Sequence, residues 1–435
     1  MKTPISIVVI GLGGMAKAHL DAVAWLEKQG LAKLRGVVAI EFDRRRFPDL
    51  VESFVARHIP LYASIEEFLQ NAAGTADVLT VPIGIHQHMP VSIAALRAGL
   101  HVYCEKPVAA TIQEVDQLIA AQKSSGKLVG INFQNIYSAS IQNLKARICD
   151  SRLGAVKSAA LICSWPRSRN YYARNDWAGR LRKDGDWILD SPVNNAMGHY
   201  LHNMLYLASN SRADSALPLE ITAELYRAGN IESYDTAALR VRCEKEVFVH
   251  SYMTLAGAPV YGPVMELSCD NGKVTWQNFN GETNIRYRDG REEKFDNGPQ
   301  EWTYEGFRNF VHAIHGEERL LCPPEVCRSH TLCVNGAHES CPMIQNFPSS
   351  EITVVTDKEM PPSEAMAVFD RVPNLNTLLQ SAFEQRKLPS EIGIPWAVAS
   401  KPFNLQSYDH FPDLNGKFVK QNYAHRNRTL TEAKD

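Results

Sequence analysis

No apolar run in the 435-residue chain approaches the about 20 residues that a membrane-spanning helix needs. The apolar stretch at the N-terminus is too short for a signal peptide and lacks a small-residue cleavage site, so we predict a cytoplasmic protein without a membrane partner. Charge is nearly balanced, with 46 Lys and Arg against 48 Asp and Glu. Without a basic block that would neutralise a run of phosphates, nucleic acid is not an expected partner.

Cysteine is sparse, and the nine cysteines form no Cys-x-x-Cys pair. That distribution is typical of reduced thiols and not of a disulfide scaffold. The one local group consists of Cys322, Cys327, His330, Cys333, His338 and Cys341. Because no pair in this group has the spacing of a zinc finger, we predict buried core cysteines and no metal.

The first third of the chain repeats a short apolar strand, a turn and a helical pattern. The strand candidates are Ile5–Ile10, Gly36–Ile40, Val78–Val81, His101–Cys104 and Leu128–Asn132. The helix candidates, with apolar residues at three- and four-residue spacing, are Ala16–Lys28, Ile65–Gln70, Met89–Ala98 and Ile112–Ser124. This alternation predicts an α/β domain with a parallel sheet that helices cover on both faces.

After about Tyr137 the pattern changes to alternating strands separated by Gly, Asn and Asp turns, which indicates an α+β domain with a largely antiparallel open sheet. Two helices interrupt it, at Asn195–Leu207 and Glu301–His315. We therefore predict a parallel α/β domain at 1–135, an α+β domain at 136–345, an extension at 346–420 that packs on the body and is irregular apart from one helix around Leu375–Arg386, and a disordered tail at 421–435.

A glycine-rich turn joins the first strand to the first helix. Its residues Gly11, Gly13, Gly14, Met15 and Ala16 match the G-x-G-x-x-A pattern in the strand-turn-helix context that gives the pattern meaning. Gly11 permits the tight turn, Gly13 lets the backbone approach a pyrophosphate, and Ala16 allows the helix to pack closely on the strand. The helix N-terminus then faces the anion, so the segment predicts dinucleotide binding of the Rossmann type.

The end of the second strand bears on the choice of cofactor. We expect the strand to end at Glu41, where a carboxylate would bind the adenosine ribose hydroxyls and repel a 2′-phosphate. Arg44, Arg45 and Arg46 follow and offer an alternative, since they would bind that phosphate or simply form a solvated helical turn. NAD is therefore the predicted cofactor, with NADP as the alternative.

The stretch Ala98-Gly99-Leu100-His101-Val102-Tyr103-Cys104-Glu105-Lys106-Pro107 resembles the A-G-x-H-V-x-x-E-K-P signature of the Gfo/Idh/MocA family of sugar and cyclitol oxidoreductases. The resemblance covers the N-terminal domain and continues more loosely to about Cys341. It implies that Glu105 lies beside the nicotinamide ribose, that Lys106 reaches the substrate hydroxyl, and that the bond before Pro107 is cis. A Lys at the carboxyl end of a parallel strand also lies where open sheets bind ligands.

The same resemblance points to further cofactor contacts. Pro82 and His86 match the family's proline, asparagine and histidine segment, whereas Ile83 replaces the usual asparagine; His86 is equally well explained as a helix cap. Gln134, in Asn132-Phe133-Gln134, stands where a charged residue is common in the family.

The catalytic part of the second domain is expected around Asn195 and His199, which are four residues apart and would lie on one helical face. By resemblance these two residues are catalytic, and Asp190, just before an apparent insertion, is the second-choice carboxylate. His202 replaces an Asp that many relatives carry, and we expect it to bind substrate together with Asn194.

Upstream lies an aromatic and cationic segment that suits a polyhydroxylated ring, with rings for its apolar faces and polar groups for its hydroxyls. Its candidate substrate contacts are Trp165, Arg167, Tyr172, Arg174 and Trp177. Packing at a domain interface is the equally weighted alternative for this segment.

Together these features predict a reversible hydride transfer between a nicotinamide and a secondary alcohol or ketone of a sugar or cyclitol. Lys106 would polarise the substrate oxygen, and His199 would act as general acid or base. The resemblance leaves two alternatives, a glycosidase-like enzyme that uses tightly bound NAD in a transient oxidation and a non-catalytic sugar or NAD sensor. It also implies a homo-oligomer, a dimer or tetramer, formed through the sheet of the C-terminal domain.

Overall fold

The computed structural model describes residues 2–277, 281–298, 302–357 and 367–413. The predicted tail at 421–435 lies outside this part of the chain. Two compact units are present: unit 1 contains the described parts of residues 1–109, 114–138 and 299–328, and unit 2 those of 110–113, 139–298 and 329–435. Among the described residues, no helix combines the length and apolarity that crossing a membrane requires.

The elements are numbered along the chain. The strands are β1 Ile5–Ile10, β2 Ala32–Val38, β3 Leu61–Tyr62, β4 Val78–Val81, β5 His101–Cys104, β6 Val129–Ile131, β7 Val156–Ser164, β8 Arg182–Lys183, β9 Asp186–Trp187, β10 Pro218–Arg227, β11 Thr236–Cys243, β12 Phe248–Thr254, β13 Tyr261–Cys269, β14 Gly272–Gln277, β15 Glu282–Tyr287, β16 Glu292–Asp296, β17 Gln345–Asn346, β18 Thr353–Asp357, β19 Ala367–Arg371 and β20 Phe403–Asn404. The α-helices are α1 Met15–Lys28, α2 Glu41–Arg46, α3 Pro48–Ala56, α4 Ile65–Asn71, α5 Ile85–Arg97, α6 Ile112–Ser125, α7 Ala139–Cys149, α8 Arg169–Ala173, α9 Gly198–Ala208, α10 Trp302–Ile314, α11 Pro324–Ser340 and α12 Leu375–Gln385.

Unit 1 is built on a six-stranded parallel sheet in the order β3-β2-β1-β4-β5-β6. The order reverses between β1 and β4, and open parallel sheets bind ligands at the carboxyl ends of the strands beside such a reversal. The predicted α/β fold is confirmed. The central strands β1 and β4 are almost entirely buried, which explains their largely apolar sequences.

Helix α10 belongs to unit 1, although the sequence analysis placed its residues in the second domain. The helix is strongly amphipathic, and its Phe307 and Phe310 are buried in the core of unit 1 beside Tyr103. The ring centroids of Tyr103 and Phe307 lie 4.3 Å apart. Aromatic burial of this kind, between residues far apart in sequence, decides where the helix packs.

Unit 2 contains a ten-stranded sheet in the order β16-β15-β14-β13-β7-β12-β11-β10-β17, with β20 also paired to β10. The predicted largely antiparallel sheet is confirmed; the exceptions are the parallel pairs of β7 with β12 and β10 with β17.

The predicted helix Asn195–Leu207 is wrong at its start. Residues Pro192–Ala196 form a π-helical turn, and α9 begins only at Gly198. Met197, between them, has φ −123° and ψ 13°, which breaks the helical path. Asn195 and His199 therefore do not occupy successive turns of one α-helix.

The C-terminal extension packs on the sheet of unit 2 and is more regular than the sequence indicated. Helix α12 confirms the helix predicted around Leu375–Arg386, and the hairpin β18–β19 is the regular element that the sequence did not indicate. Leu375, Leu379 and Phe383 of α12 are buried in one cluster with Ala160, Ile162 and Tyr252 of the sheet. Because the extension covers this part of the sheet, a second protein copy that bound here would contact the extension and not these strands. The homo-oligomer stays a prediction.

Candidate active site

The glycine loop of unit 1 has the backbone that a pyrophosphate site requires. Gly11 and Gly14 have φ of +85° and +57°, a region that side chains other than glycine rarely adopt. A Cβ at Gly13 would lie 2.7 Å from the Phe47 ring, so a larger residue there would require that ring to move. No side chain caps the N-terminus of α1, and its first turn has no acidic residue. The backbone N–H groups of this 14-residue helix are thus suited to an anion.

The carboxylates beyond the second strand differ from the sequence prediction. The strand ends at Val38, and Glu41 is the first residue of α2, where it forms an exposed ion pair of 2.8 Å with Arg45. The prediction that the strand ends at Glu41 is therefore wrong. Asp43, which the sequence analysis missed, has its Oδ2 3.9 Å from the Cβ position of Gly11, beside the glycine loop. Burial raises the pKa of Asp43 from its usual value, against the effect of nearby Arg46.

Each of the three arginines after Glu41 contacts another group of the protein in this structure. Arg44 donates from Nε to the Ala39 carbonyl oxygen at 2.8 Å and from a terminal nitrogen to the Leu61 carbonyl oxygen at 3.2 Å. Arg45 pairs with Glu41, and the Arg46 guanidinium lies 5.5 Å from the centroid of the Phe47 ring. These contacts weaken the alternative in which the arginines bind a 2′-phosphate.

Glu105 is the centre of a buried polar network at the carboxyl ends of β5 and β6. Its Oε1 accepts a hydrogen bond from Asn132 Nδ2 at 2.6 Å and lies 3.1 Å from Nε2 of His19 on α1. Its Oε2 accepts from the Lys106 backbone N–H at 3.2 Å, and Asn132 in turn accepts from the Tyr103 hydroxyl at 3.1 Å. The carboxylate joins α1, β5 and β6 directly below the Lys106 turn.

This network keeps Glu105 ionised. Burial alone raises the pKa of a carboxyl group, but the hydrogen bonds and charge of His19, together with the Asn132 amide, outweigh it and lower the pKa of Glu105 to about 2. A charge that is 5% exposed requires such partners. Glu105 thus positions the Lys106 turn, which sequence alone did not show.

Lys106 and Pro107 are joined by a cis bond, as the resemblance implied. His88, fully buried on α5, has Nδ1 2.7 Å from the Pro107 carbonyl oxygen and Nε2 3.0 Å from that of Ile83. Burial lowers the pKa of His88 although both carbonyl groups favour its charged form. The ring ties the segment after β4 to the segment after β5, and the sequence analysis did not single out His88.

The remaining predicted cofactor residues of unit 1 surround the same sheet edge. Pro82 and His86 lie half-buried after β4. Gln134 is in a short 3₁₀ turn after β6, where its Oε1 accepts a hydrogen bond from the Thr303 hydroxyl. Nothing beyond this placement tests their predicted role in cofactor binding.

In unit 2, Asp190 organises the segment that holds the predicted catalytic residues. Its carboxylate is 4% exposed and accepts from the Gly179 backbone N–H at 2.6 Å and from Asn195 Nδ2 at 2.8 Å. Ser191 accepts from the Asn194 backbone N–H and so caps the π-helical turn. A carboxylate bound in this way serves to position Asn195.

The predicted substrate and catalytic residues of this segment differ in accessibility. Asn195 and His199 are half-buried, whereas Asn194 and His202 are buried. Asn194 Nδ2 donates to the carbonyl oxygens of Ile188 and Leu189, both at 3.2 Å. The structure therefore gives Asn194 a contact within the fold instead of an exposed binding position.

The aromatic and cationic segment packs largely on itself. The Arg174 guanidinium lies 3.6 Å from the centroid of the Tyr171 ring and 5.4 Å from that of Trp177. Arg167 lies 5.8 Å from the Trp165 ring and 5.0 Å from that of Tyr171. These cation–π contacts hold the segment in one conformation. Tyr172 lines an adjacent cleft.

The local cysteine group is buried, in accordance with the sequence prediction. The sulfurs of Cys322 and Cys327 lie 3.4 Å apart, and burial raises the pKa of the Cys327 thiol. Such thiols stay protonated and unreactive at neutral pH. The prediction that this chain holds no metal is not tested by these contacts.

Comparison with known proteins supports the assignment of unit 1. Residues 5–133 match the family model described as "Oxidoreductase family, NAD-binding Rossmann fold". A curated relative, inositol 2-dehydrogenase of Azotobacter vinelandii, is 30% identical over 34% of this chain and 43% of its own length. The chain thus matches less than half the length of that relative.

Solved structures resemble a larger part of the fold. The WlbA dehydrogenase of Bordetella pertussis, in complex with NADH and UDP-GlcNAcA, has 19% identity and a TM-score of 0.62 over 77% of this chain and 97% of its own. An inositol dehydrogenase homologue of Azotobacter vinelandii with NAD⁺ has 15% identity and a TM-score of 0.64 over 77% and 95%. At these identities the likeness shows the fold alone.

The low pKa of Glu105 predicts an acid-dependent stability. Its folded-state pKa, about 2, lies below the usual 4.5, so its contribution of about 3 kcal/mol is present above pH 4.5 and is lost as the pH falls toward 2. We expect Glu105→Gln to lower the melting temperature at pH 7 and to flatten its dependence on pH between 3 and 7, measured by circular dichroism. Exposed Glu52→Gln is the matched control. A Glu105→Gln curve parallel to that of the wild type would contradict the assigned network.

Proposed function

We propose that this chain, whose residues 5–133 belong to the Gfo/Idh/MocA oxidoreductases, is an NAD-dependent oxidoreductase that acts on a secondary alcohol or ketone of a sugar, a cyclitol or a derivative. The observation that carries the proposal is the glycine-rich turn Gly11-Leu12-Gly13-Gly14 before the N-terminus of α1, which no side chain caps, at the point where the strand order reverses. A plain turn would require neither the two positive φ angles nor the absence of a helix cap.

The chain offers a consistent set of groups for NAD. The backbone N–H groups that begin α1 would bind the pyrophosphate, and the carboxylates of Glu41 and Asp43 are the candidates for the adenosine ribose. When bound, NAD supplies the chemistry of accepting a hydride from the alcohol carbon or returning one to the ketone. Stabilising the substrate oxygen and transferring the proton are the tasks that we assign to side chains of this protein.

In this proposal Lys106 acts on the substrate oxygen. Glu105 binds the Lys106 backbone N–H, and His88 lies against the Pro107 carbonyl oxygen, so the turn that presents Lys106 is held on both sides. An ammonium group in a fixed position stabilises the negative charge that develops on an alcohol oxygen as its proton leaves. The family resemblance, together with this support, is the basis for Lys106 as the polarising group.

His199 is the proposed proton carrier, and Asn195 the hydrogen-bonding group beside it in sequence. An imidazole exchanges protons near neutral pH, whereas an amide does not. The Asp190 carboxylate is buried against Gly179 and Asn195, which supports a positioning role for it. The assignment of His199 rests on the family resemblance and on its half-buried position.

Cofactor choice is expected to depend on the two carboxylates near the glycine loop. Glu41→Ala should narrow the difference in affinity between NAD and NADP, because an anion at the ribose repels the 2′-phosphate. Asp43→Ala provides the comparison, measured by titrating protein fluorescence with each cofactor. A larger effect of Asp43→Ala would move the ribose contact to Asp43, and tighter wild-type binding of NADP than of NAD would reverse the cofactor assignment.

A screen of sugars, cyclitols and their keto forms with NAD, followed at the nicotinamide absorbance, tests the proposed activity. NADH should accumulate in proportion to product. Bond cleavage in a glycoside without net NADH would instead indicate transient oxidation, and tight NAD binding without any turnover would indicate a sensor.

With the substrate found in this screen, Lys106→Ala should reduce kcat about a hundredfold or more and affect cofactor affinity less. Near-normal turnover would remove Lys106 from the mechanism.

The roles of His199 and Asp190 are separated by the pH dependence of turnover. We expect His199→Asn to abolish the titration near neutral pH and most of the turnover. Asp190→Asn should keep that titration and mainly weaken substrate affinity or stability, since it disturbs the hydrogen bonds to Gly179 and Asn195. The reverse pattern would show that Asp190 carries the proton.

A further inference from the structure

A polar cleft of about 800 Å³ lies in unit 2 beside the segment of the predicted catalytic residues. It is formed by α8 and the residues that follow it, by the loop between β10 and β11, and by Asn346. Its volume lies within the range of small-molecule sites. The sequence analysis assigned only Tyr172 of its lining to substrate binding.

The cleft is joined to Asn195 by hydrogen bonds within unit 2. Gly179 lines the cleft, and its N–H donates to Asp190, whose other oxygen accepts from Asn195. The Arg180 carbonyl oxygen also accepts from the Asp190 backbone N–H, at 3.0 Å. The cleft and the proposed catalytic segment are therefore held by the same carboxylate, two hydrogen bonds apart.

Two of the three guanidinium groups that line the cleft have carboxylate partners, which favours a neutral ligand over a phosphate. Arg169 forms a bidentate pair with Asp370. Arg227 donates to the Ile231 and Glu232 carbonyl oxygens, both at 2.8 Å, and is influenced by the nearby Asp235 carboxylate. Glu232, which lines the cleft, also favours the charged form of Arg227, so among the guanidinium groups of Arg169, Arg180 and Arg227 only that of Arg180 has no carboxylate partner within the described residues. A phosphate prefers an excess of uncommitted cations.

The groups that remain available are those that bind sugar hydroxyls. Within the part of the chain that the structure describes, the side chains of Arg180 and Asn230 are exposed and have no polar partner. Asn175 uses only its Oδ1, which accepts from the Trp177 and Ala178 backbone N–H groups. Guanidinium and amide groups donate to a hydroxyl oxygen, and a carboxylate accepts a hydrogen bond from a hydroxyl. The Glu232 carboxylate, whose Oε2 accepts from the Leu181 backbone N–H at 3.2 Å, has further acceptor capacity for this. The ring of Tyr172 and the aliphatic side chain of Ile231 also line the cleft and would pack against the apolar face of a sugar ring.

We propose that this cleft binds a second, unreacted ring of a neutral saccharide, so that the substrate is an oligosaccharide or glycoside and not a free monosaccharide or cyclitol. The inference rests on the proposed function for the identity of the reacting ring. The binding of the second ring depends only on the cleft itself.

Calorimetric titration of the full chain tests this inference without turnover. The probes are maltose, cellobiose and lactose, compared with glucose and galactose. At least one disaccharide should bind about tenfold more tightly than its constituent monosaccharides, the effect of one or two further hydrogen bonds. Arg180→Ala and Asn230→Ala should each reduce that ratio about threefold or more. Exposed Arg212→Ala, outside the cleft, is the matched control and should leave the ratio unchanged.

Equal affinity for disaccharides and monosaccharides, or a ratio that neither cleft variant changes, would overturn the inference. Competition by inorganic phosphate that Arg180→Ala abolishes would also overturn it, in favour of an anion site. The proposed function fails separately: a disaccharide preference that the variants reduce, without NADH formation on any sugar, leaves the cleft assignment standing and removes the oxidoreductase. NADH formation on monosaccharides without a disaccharide preference would leave the oxidoreductase standing and remove the cleft assignment.

Discussion

The buried Glu105 carboxylate is the contact on which the geometry of unit 1 depends. It joins the helix after the glycine loop, through His19, to the ends of β5 and β6, through the Lys106 backbone and Asn132. β5 and β6 already pair through their backbones, and the carboxylate adds side-chain hydrogen bonds that fix α1 to both of them at the carboxyl edge of the sheet. A buried charge tolerates little rearrangement, because losing any partner leaves it poorly solvated. The proposed cofactor loop and the proposed catalytic lysine are set by the same group.

Asp190 has a comparable function in unit 2, by a different route. One oxygen of its carboxylate accepts from the Gly179 backbone N–H, and the other accepts from the side-chain amide of Asn195. Asn195 belongs to the π-helical turn that precedes α9. That turn is costly in isolation, and π-helical geometry is frequent at functional sites. The aromatic and cationic segment, the polar cleft and Asn195 are all positioned by this carboxylate or by its neighbours. The sequence offers Asp190 as the second-choice catalytic carboxylate, and its two hydrogen bonds support the positioning role that we propose for it.

The C-terminal extension shows how unit 2 covers an apolar surface. A sheet with an exposed apolar face needs a cover, from another chain or from the same one. Here α12 and the segments around it bury Ala160, Ile162 and Tyr252 of the sheet. Arg240 of β11 and Glu391 of the extension add a hydrogen-bonded ion pair at 2.7 Å. The extension is thus an integral part of unit 2.

Sequence by itself determined the alternating elements of unit 1, the glycine loop, the position of Lys106 and the antiparallel character of the second sheet. These features arise from local rules: hydrophobic periodicity, backbone conformations reserved for glycine, and a motif short enough to be recognised without its surroundings. The contacts that sequence did not find join residues far apart in the chain, such as His19 with Glu105, Phe307 with Tyr103, and α12 with β7. The break at Met197 separated Asn195 from the helix of His199, and packing placed His88, which the sequence analysis did not single out, against Pro107. Such outcomes depend on which surfaces meet when the elements pack, and periodicity along a single segment carries no information about its partner.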